Sequence, residues 1–317
     1  MSIGYLLYKG TPYWKPINLP EYMQRFAVAC IILNECLSLG KQMFIRNIAS
    51  IFFLGFLFNL VNLIGVFVVL WACVGYKVIP EMNPSEYGTR SIMVVACLAS
   101  LIDPFGFKMT FTRNRKFNDL IKGICLSSLF INCWIGYTMV CNEKISGDYD
   151  NITVYDLANL FIVLGLSLAV SQLLGALSSL IMAQLSVVRV TVVSEILFFF
   201  FGLYLVSFVG YVKFFHLISQ ETMLLLYCLF TSQFTRYNLS QAAGERLSFI
   251  TLMQSELFNI GILATHGISI ANTITGKSFS WKVVILFIAV PMVVRAVLLL
   301  IFWIPAKYCC HLNHIGY

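Results

Sequence analysis

The residues of this sequence best placed to do chemistry are ionisable side chains inside long apolar stretches. A charge in hydrocarbon is costly and is kept facing a partner or a cavity. Glu256, Asn259, His266 and Thr273 follow one another at spacings of three, seven and seven. At 100° per residue they fall within about 100° of arc and form one polar stripe on a helix. In the next apolar stretch Arg295 follows Pro291 by four positions. The proline frees the carbonyl of Phe287 and predicts a kink near the arginine. Counted from the cytosolic ends of their stretches, Glu256 lies about 14 Å deep and Arg295 about 15 Å. Only about five residues join the two stretches, so they are expected to be antiparallel neighbours with the two charges paired. Glu195, about 8 Å deep, is close enough in level to join them. Glu195, Glu256, Asn259, His266 and Arg295 would line a ligand-binding or conducting cleft. Alternatively, the pair would simply lock two helices.

Other spacings carry weaker chemistry. No GxSxG, HExxH, P-loop or Gly-rich dinucleotide turn occurs, so no catalytic residue is assigned and the chain is expected not to be an enzyme. His311 and His314 form an H-x-x-H that lacks a third ligand, and no CxxC pair or zinc-spaced set is present. Neither a metal nor a cofactor is expected. Cys309 and Cys310 follow the last apolar stretch beside Lys307, which makes them lipidation candidates or ordinary free thiols. Asn151-Ile152-Thr153 is an N-glycosylation sequon, used only on a luminal or extracellular face. Ser167, Ser171, Gly175, Ser179 and Ala183 recur every four residues. Such a ridge of small side chains lets another helix approach closely, so a helix-packing partner is expected there.

The elements that must position these residues are read from composition and run length. Of 317 residues, 59% are apolar and 11% charged, against about 25% charged in a soluble domain. A soluble enzyme, a disordered chain and a secreted disulfide scaffold are excluded. The apolar residues come in long unbroken runs, which excludes an outer-membrane barrel. The fold class is all-α: a polytopic helical membrane protein. Runs at 48–71, 91–107, 120–141, 154–185, 190–215, 222–235, 247–275 and 281–305 predict about eight transmembrane helices. Residues 20–40 mix apolar and polar side chains at helical spacing and are expected to lie along the membrane surface as an interfacial helix. Three regions follow: a cytosolic lead with the interfacial helix over 1–47, a helix bundle over 48–305, and a cytosolic tail over 306–317. Residues 1–20 lack the apolar core and cleavage site of a signal peptide, so the first span is expected to act as its own insertion signal.

Basic residues set the orientation. Lys108, Arg113, Arg115 and Lys116 crowd one short loop, whereas the sequon loop holds Glu143, Asp148 and Asp150 against Lys144. With Lys41 and Arg46 before the first span, Arg189 between the fourth and fifth, Arg236 and Arg246 before the seventh, and Lys307 after the last, both termini are expected in the cytosol. The isolated Lys213 and Lys277 are the exceptions. The net charge of +7 thus reports topology, and no nucleic acid is expected. The expected partners are the lipid bilayer, a small molecule or lipid, and a helix docking on the ridge. The function class that fits is a conduit, meaning a transporter, channel or lipid-moving protein. A chemosensory serpentine receptor and a membrane scaffold or accessory subunit are the alternatives.

Overall fold

A computed structural model describes residues 19–39, 45–76, 88–101, 115–146, 152, 154–187, 191–209, 218–275 and 281–309. Side chains are described within 26–39, 45–76, 88–101, 120–140, 152, 154–184, 191–207, 218–261 and 281–302. Among the described residues every long element is a helix: α1 (Leu19–Ser38), α2 (Ile48–Gly75), α3 (Thr89–Ser100), α4 (Arg115–Ser146), α5 (Val154–Val187), α6 (Val192–Val209), α7 (Gln220–Gln233), α8 (Gln241–Thr275) and α9 (Trp281–Cys309). A short 3-10 turn, Thr235–Asn238, precedes α8. Four segments are long and apolar enough to cross a bilayer: Ile48–Gly75, Leu120–Val140, Val154–Gln184 and Trp281–Phe302. The chain is a helical membrane protein.

Two element expectations change. Within the run 91–107 the helix stops at Ser100, where Leu101 turns extended with ψ 131°, and residues 102–107 lie outside those described. Twelve residues reach about 18 Å, short of the ~30 Å hydrocarbon core. The stretch 20–40 is helical, but it does not show the wet face of a helix resting on a membrane surface. Residues 29–37 are all buried, Asn34 and Glu35 among them. The alternation of polar and apolar residues was a poor guide here because Asn34 and Glu35 are buried.

The chain divides into two compact units. The first comprises Met1–Ser38, Ser171–Tyr211 and Leu224–Phe279, and the second Leu39–Val170, Val212–Met223 and Ser280–Tyr317. In the first unit α1 lies against α8, and α6 contacts both. Ala243, Leu247, Thr251 and Ser255 are buried on α8. Their four-residue period makes a mostly small face on which a neighbouring helix can settle closely. Phe26 and Phe258 meet edge to face with ring centroids 5.9 Å apart.

In the second unit α2 packs on α3, α4 and α9 around Leu63, Val66, Leu70, Ile92, Ile131 and Met139. Its start is wound as a wide π-type turn over Ile51–Leu57. A π turn leaves a carbonyl out of the regular ladder, and Asn59 Nδ2 donates to the Gly55 carbonyl. Gly55 and Gly123 bring α2 and α4 together. A Cβ on Gly55 would lie 3.2 Å from the Ile124 Cα, and one on Gly123 would lie 2.7 Å from the Ile51 Cδ1.

Candidate functional site

The second unit buries an unusual amount of polarity for a membrane bundle. Asn59, Asn62, Ser100, Ser128, Asn132 and Thr138 are each at most 4% exposed. Some of these groups satisfy one another: Ser100 Oγ donates to Asn132 Oδ1 at 2.8 Å, and Asn132 Nδ2 donates to Ser128 Oγ at 3.4 Å. Thr138 donates back to its own helix at Trp134 O, and the Trp134 indole donates across to Leu160 O, both at 2.8 Å. Asn62 is fully buried, and neither its amide nitrogen nor its oxygen has a hydrogen-bond partner among the described residues. An unsatisfied buried amide is destabilising by about 1–3 kcal/mol, so it is retained against a penalty.

Arg295 belongs to this unit, on α9. Its Nη2 donates to the carbonyls of Ser100 at 2.7 Å, Leu101 at 3.1 Å and Ala99 at 3.4 Å. These are the orphan acceptors at the end of α3, where the helix dipole places partial negative charge. The guanidinium therefore caps a helix that stops short. Its Nε is buried with no partner among the described residues. The helix carrying it runs on through Pro291, from Trp281 to Cys309.

At the other end of α3, Arg90 Nη2 lies 3.0 Å from Asp156 Oδ2, with the two side chains 3% and 2% exposed. Beside them Thr89 Oγ1 accepts from the Ile152 N–H at 3.1 Å. Asp156 sits in the first turn of α5, where a carboxylate is favoured by the helix dipole. Sequence reasoning missed this ion pair. The signal was available: Arg90 just precedes one apolar run and Asp156 just enters another, both at extracytosolic ends in the expected topology. Opposite charges at one depth were the clue.

A cavity of about 310 Å³ lies between α3, α4 and the start of α7. Apolar Val94, Leu98, Leu101 and Val140 form much of its wall, with Asn132 and Glu221 among the polar lining. Its size is at the small end for ligand pockets, which run ~300–1,000 Å³.

The remaining expected residues lie in the first unit. Glu195, 6% exposed, accepts from the Ser240 backbone N–H at 3.0 Å and the Ser240 hydroxyl at 2.9 Å. Ser240 in turn accepts from the Ala243 N–H at 3.3 Å. Glu195 thus anchors the N-terminus of α8. Glu256 is sixteen positions from Ser240, about 24 Å along that helix, so the structure does not bring Glu195 to the level of Glu256. Glu256 is exposed and Asn259 half-buried on α8. The side chains of His266 and Thr273 lie outside those described. Glu256 and Arg295 belong to different units, and their coupling is a matter for experiment.

The small-residue ridge meets residues of this same chain. In the second unit Ser167 Oγ accepts from the Ser219 N–H at 3.0 Å. In the first, a Cβ on Gly175 would lie 2.6 Å from the Phe230 Cδ1, and Asn238 Nδ2 donates to the Ser179 carbonyl and hydroxyl at 3.0 and 2.9 Å. Ser171 is buried and Ala183 half-buried. Arg236, read from sequence only as a topology signal, donates Nη1 to the Leu37 carbonyl at 2.8 Å. It caps α1 much as Arg295 caps α3. Asp103, Asn151, Cys310, His311 and His314 lie outside the described residues, as does the side chain of Cys309. Among the described residues no cluster of metal-ligating side chains occurs. No known protein family and no curated protein matches the chain.

Proposed function

We propose that this chain is a non-enzymatic membrane conduit: a transporter, channel or lipid-moving protein of about eight spans, with both termini in the cytosol. One observation supports this reading above the others. A permanent positive charge, Arg295, is held on the carbonyl end of a helix too short to cross the bilayer. Discontinuous helices whose ends face polar groups are how membrane proteins build solute and ion sites near the bilayer centre. A buried unsatisfied Asn62 in the same unit fits a path that is polar by design. Glu256, Asn259 and His266 are proposed to line a polar face of the first unit.

The test is reconstitution into sealed vesicles with two readouts, solute or ion flux and loss of lipid asymmetry. Wild-type protein should carry at least one of them. Arg295→Gln should abolish it in the fraction that remains monodisperse, whose yield the lost helix cap should lower. A chain that binds ligand but carries neither flux would belong with receptors, and one that does neither would belong with scaffolds.

A further inference from the structure

We infer that the cavity between α3, α4 and the start of α7 is a binding site for a small organic cation with an apolar body. Its walls are mostly apolar, with Val94, Leu98, Leu101 and Val140 contributing. Among the described lining residues the only charged one is Glu221, half-buried in the first turn of α7. Among the described residues no cation forms an ion pair with it. Arg295 is not part of the lining; its guanidinium is turned onto the α3 carbonyls.

Tyr137 also lines the cavity, and an aromatic face attracts an ammonium group through its quadrupole. Asn132 already engages Ser100 and Ser128, so the lining's free electrostatic demand is one negative charge. Gly136 also lines the cavity, and a Cβ there would make ordinary van der Waals contact with Cys97, at 3.5 Å. The occupant that answers apolar walls, one carboxylate and one aromatic ring is an amine or quaternary ammonium with a hydrophobic substituent. A neutral or anionic molecule would leave Glu221 desolvated and unpaired.

The experiment uses the full chain in lipid nanodiscs and benzyltrimethylammonium as the probe. Its neutral isostere, neopentylbenzene, serves as the control. Cys133 lines the same cavity and is half-buried, so its alkylation by N-ethylmaleimide, read by peptide mass spectrometry, reports occupancy. The cation should slow alkylation, and the isostere at equal bilayer concentration should not. Glu221→Gln also removes a negative charge that acts on the Cys133 thiol, so protection is read as the ratio of alkylation rates with and without the probe within each variant. That ratio should weaken by about tenfold, as expected for loss of a charge partner. Gly136→Val, whose added carbons enter the cavity, should remove protection with Glu221 intact. Equal protection by probe and isostere, protection that survives Glu221→Gln, or a Cys133 unreactive in the free protein would each overturn the assignment. The readout is equilibrium binding, so a failure of flux would leave it standing, and loss of cation preference would sink it without touching flux.

Discussion

At the scale of single residues, the informative charges are those whose partners are fixed. Arg90 and Asp156 are almost completely enclosed and touch at 3.0 Å. Removing one member of such a pair leaves the other charge buried, which is destabilising by about 3–5 kcal/mol in soluble proteins. Water defects and snorkelling soften this in a bilayer. Arg90→Gln and Asp156→Asn should therefore each reduce the yield of folded protein, and the double change should restore more than the product of the two losses. Strictly multiplicative losses would show that the pair is not coupled. The same cycle on Glu256→Gln and Arg295→Gln tests the pairing expected from helical depth. Arg295 already donates to three carbonyls, so its single substitution should be the more damaging. The charge of Arg295 was legible from sequence because an arginine in an apolar run must be satisfied somewhere. Its partners were not, because backbone acceptors at a helix end exist only once the helix is known to stop at Ser100. The partner of Glu195 was not legible for a related reason: depth alone does not distinguish a hydrogen bond to a neighbouring N-terminus from a place in a cleft.

At the scale of helices, close approach is set by glycine, and the two glycines joining α2 to α4 are not equivalent. A methyl at Gly55 meets the Ile124 Cα at 3.2 Å and the Ser127 Cβ at 2.8 Å, so backbone and a short side chain must both move. A methyl at Gly123 meets the end of Ile51, its nearest atom the Cδ1 at 2.7 Å, and that chain can rotate away. Overpacking of this kind is destabilising by about 1–3 kcal/mol. Gly55→Ala should fall at the upper end and Gly123→Ala at the lower, as read from thermal unfolding in detergent. Equal effects would mean that α2 and α4 are less closely seated than the structure shows. The long apolar helices were legible because run length alone identifies them. The short ones were not: α3 stops at Ser100, and α1 buries residues 29–37 where a surface helix was expected. Neither outcome has a periodicity signal: Asn34 and Glu35 are polar yet buried, and the apolar run continues past Ser100.

At the scale of the whole molecule, the arrangement of the termini separates an eight-span chain from a seven-span one. Four segments are unmistakably long and apolar enough to cross, and the count beyond them rests on charge. The loop with Lys108, Arg113, Arg115 and Lys116 opposes the acidic loop with Glu143, Asp148 and Asp150. Positive charge near span ends is retained on the cytosolic side. The loops joining these two to the remaining spans then alternate only if an even number of crossings follows the first cytosolic segment. A tag at Tyr317 should accordingly be digested by protease added to sealed inside-out vesicles and be protected in right-side-out ones. Asn151→Gln should remove a glycan-sized mass if the sequon loop reaches the transferase. The digestion is the stronger test, because a sequon close to the bilayer escapes modification whatever its side. A tag protected in inside-out vesicles would require an odd number of crossings and would put α7, whose 14 residues reach only about 21 Å, outside the set of spans. It would also turn the basic residues Arg236 and Arg246 to the far side, and the charge argument for the whole orientation would fall with it.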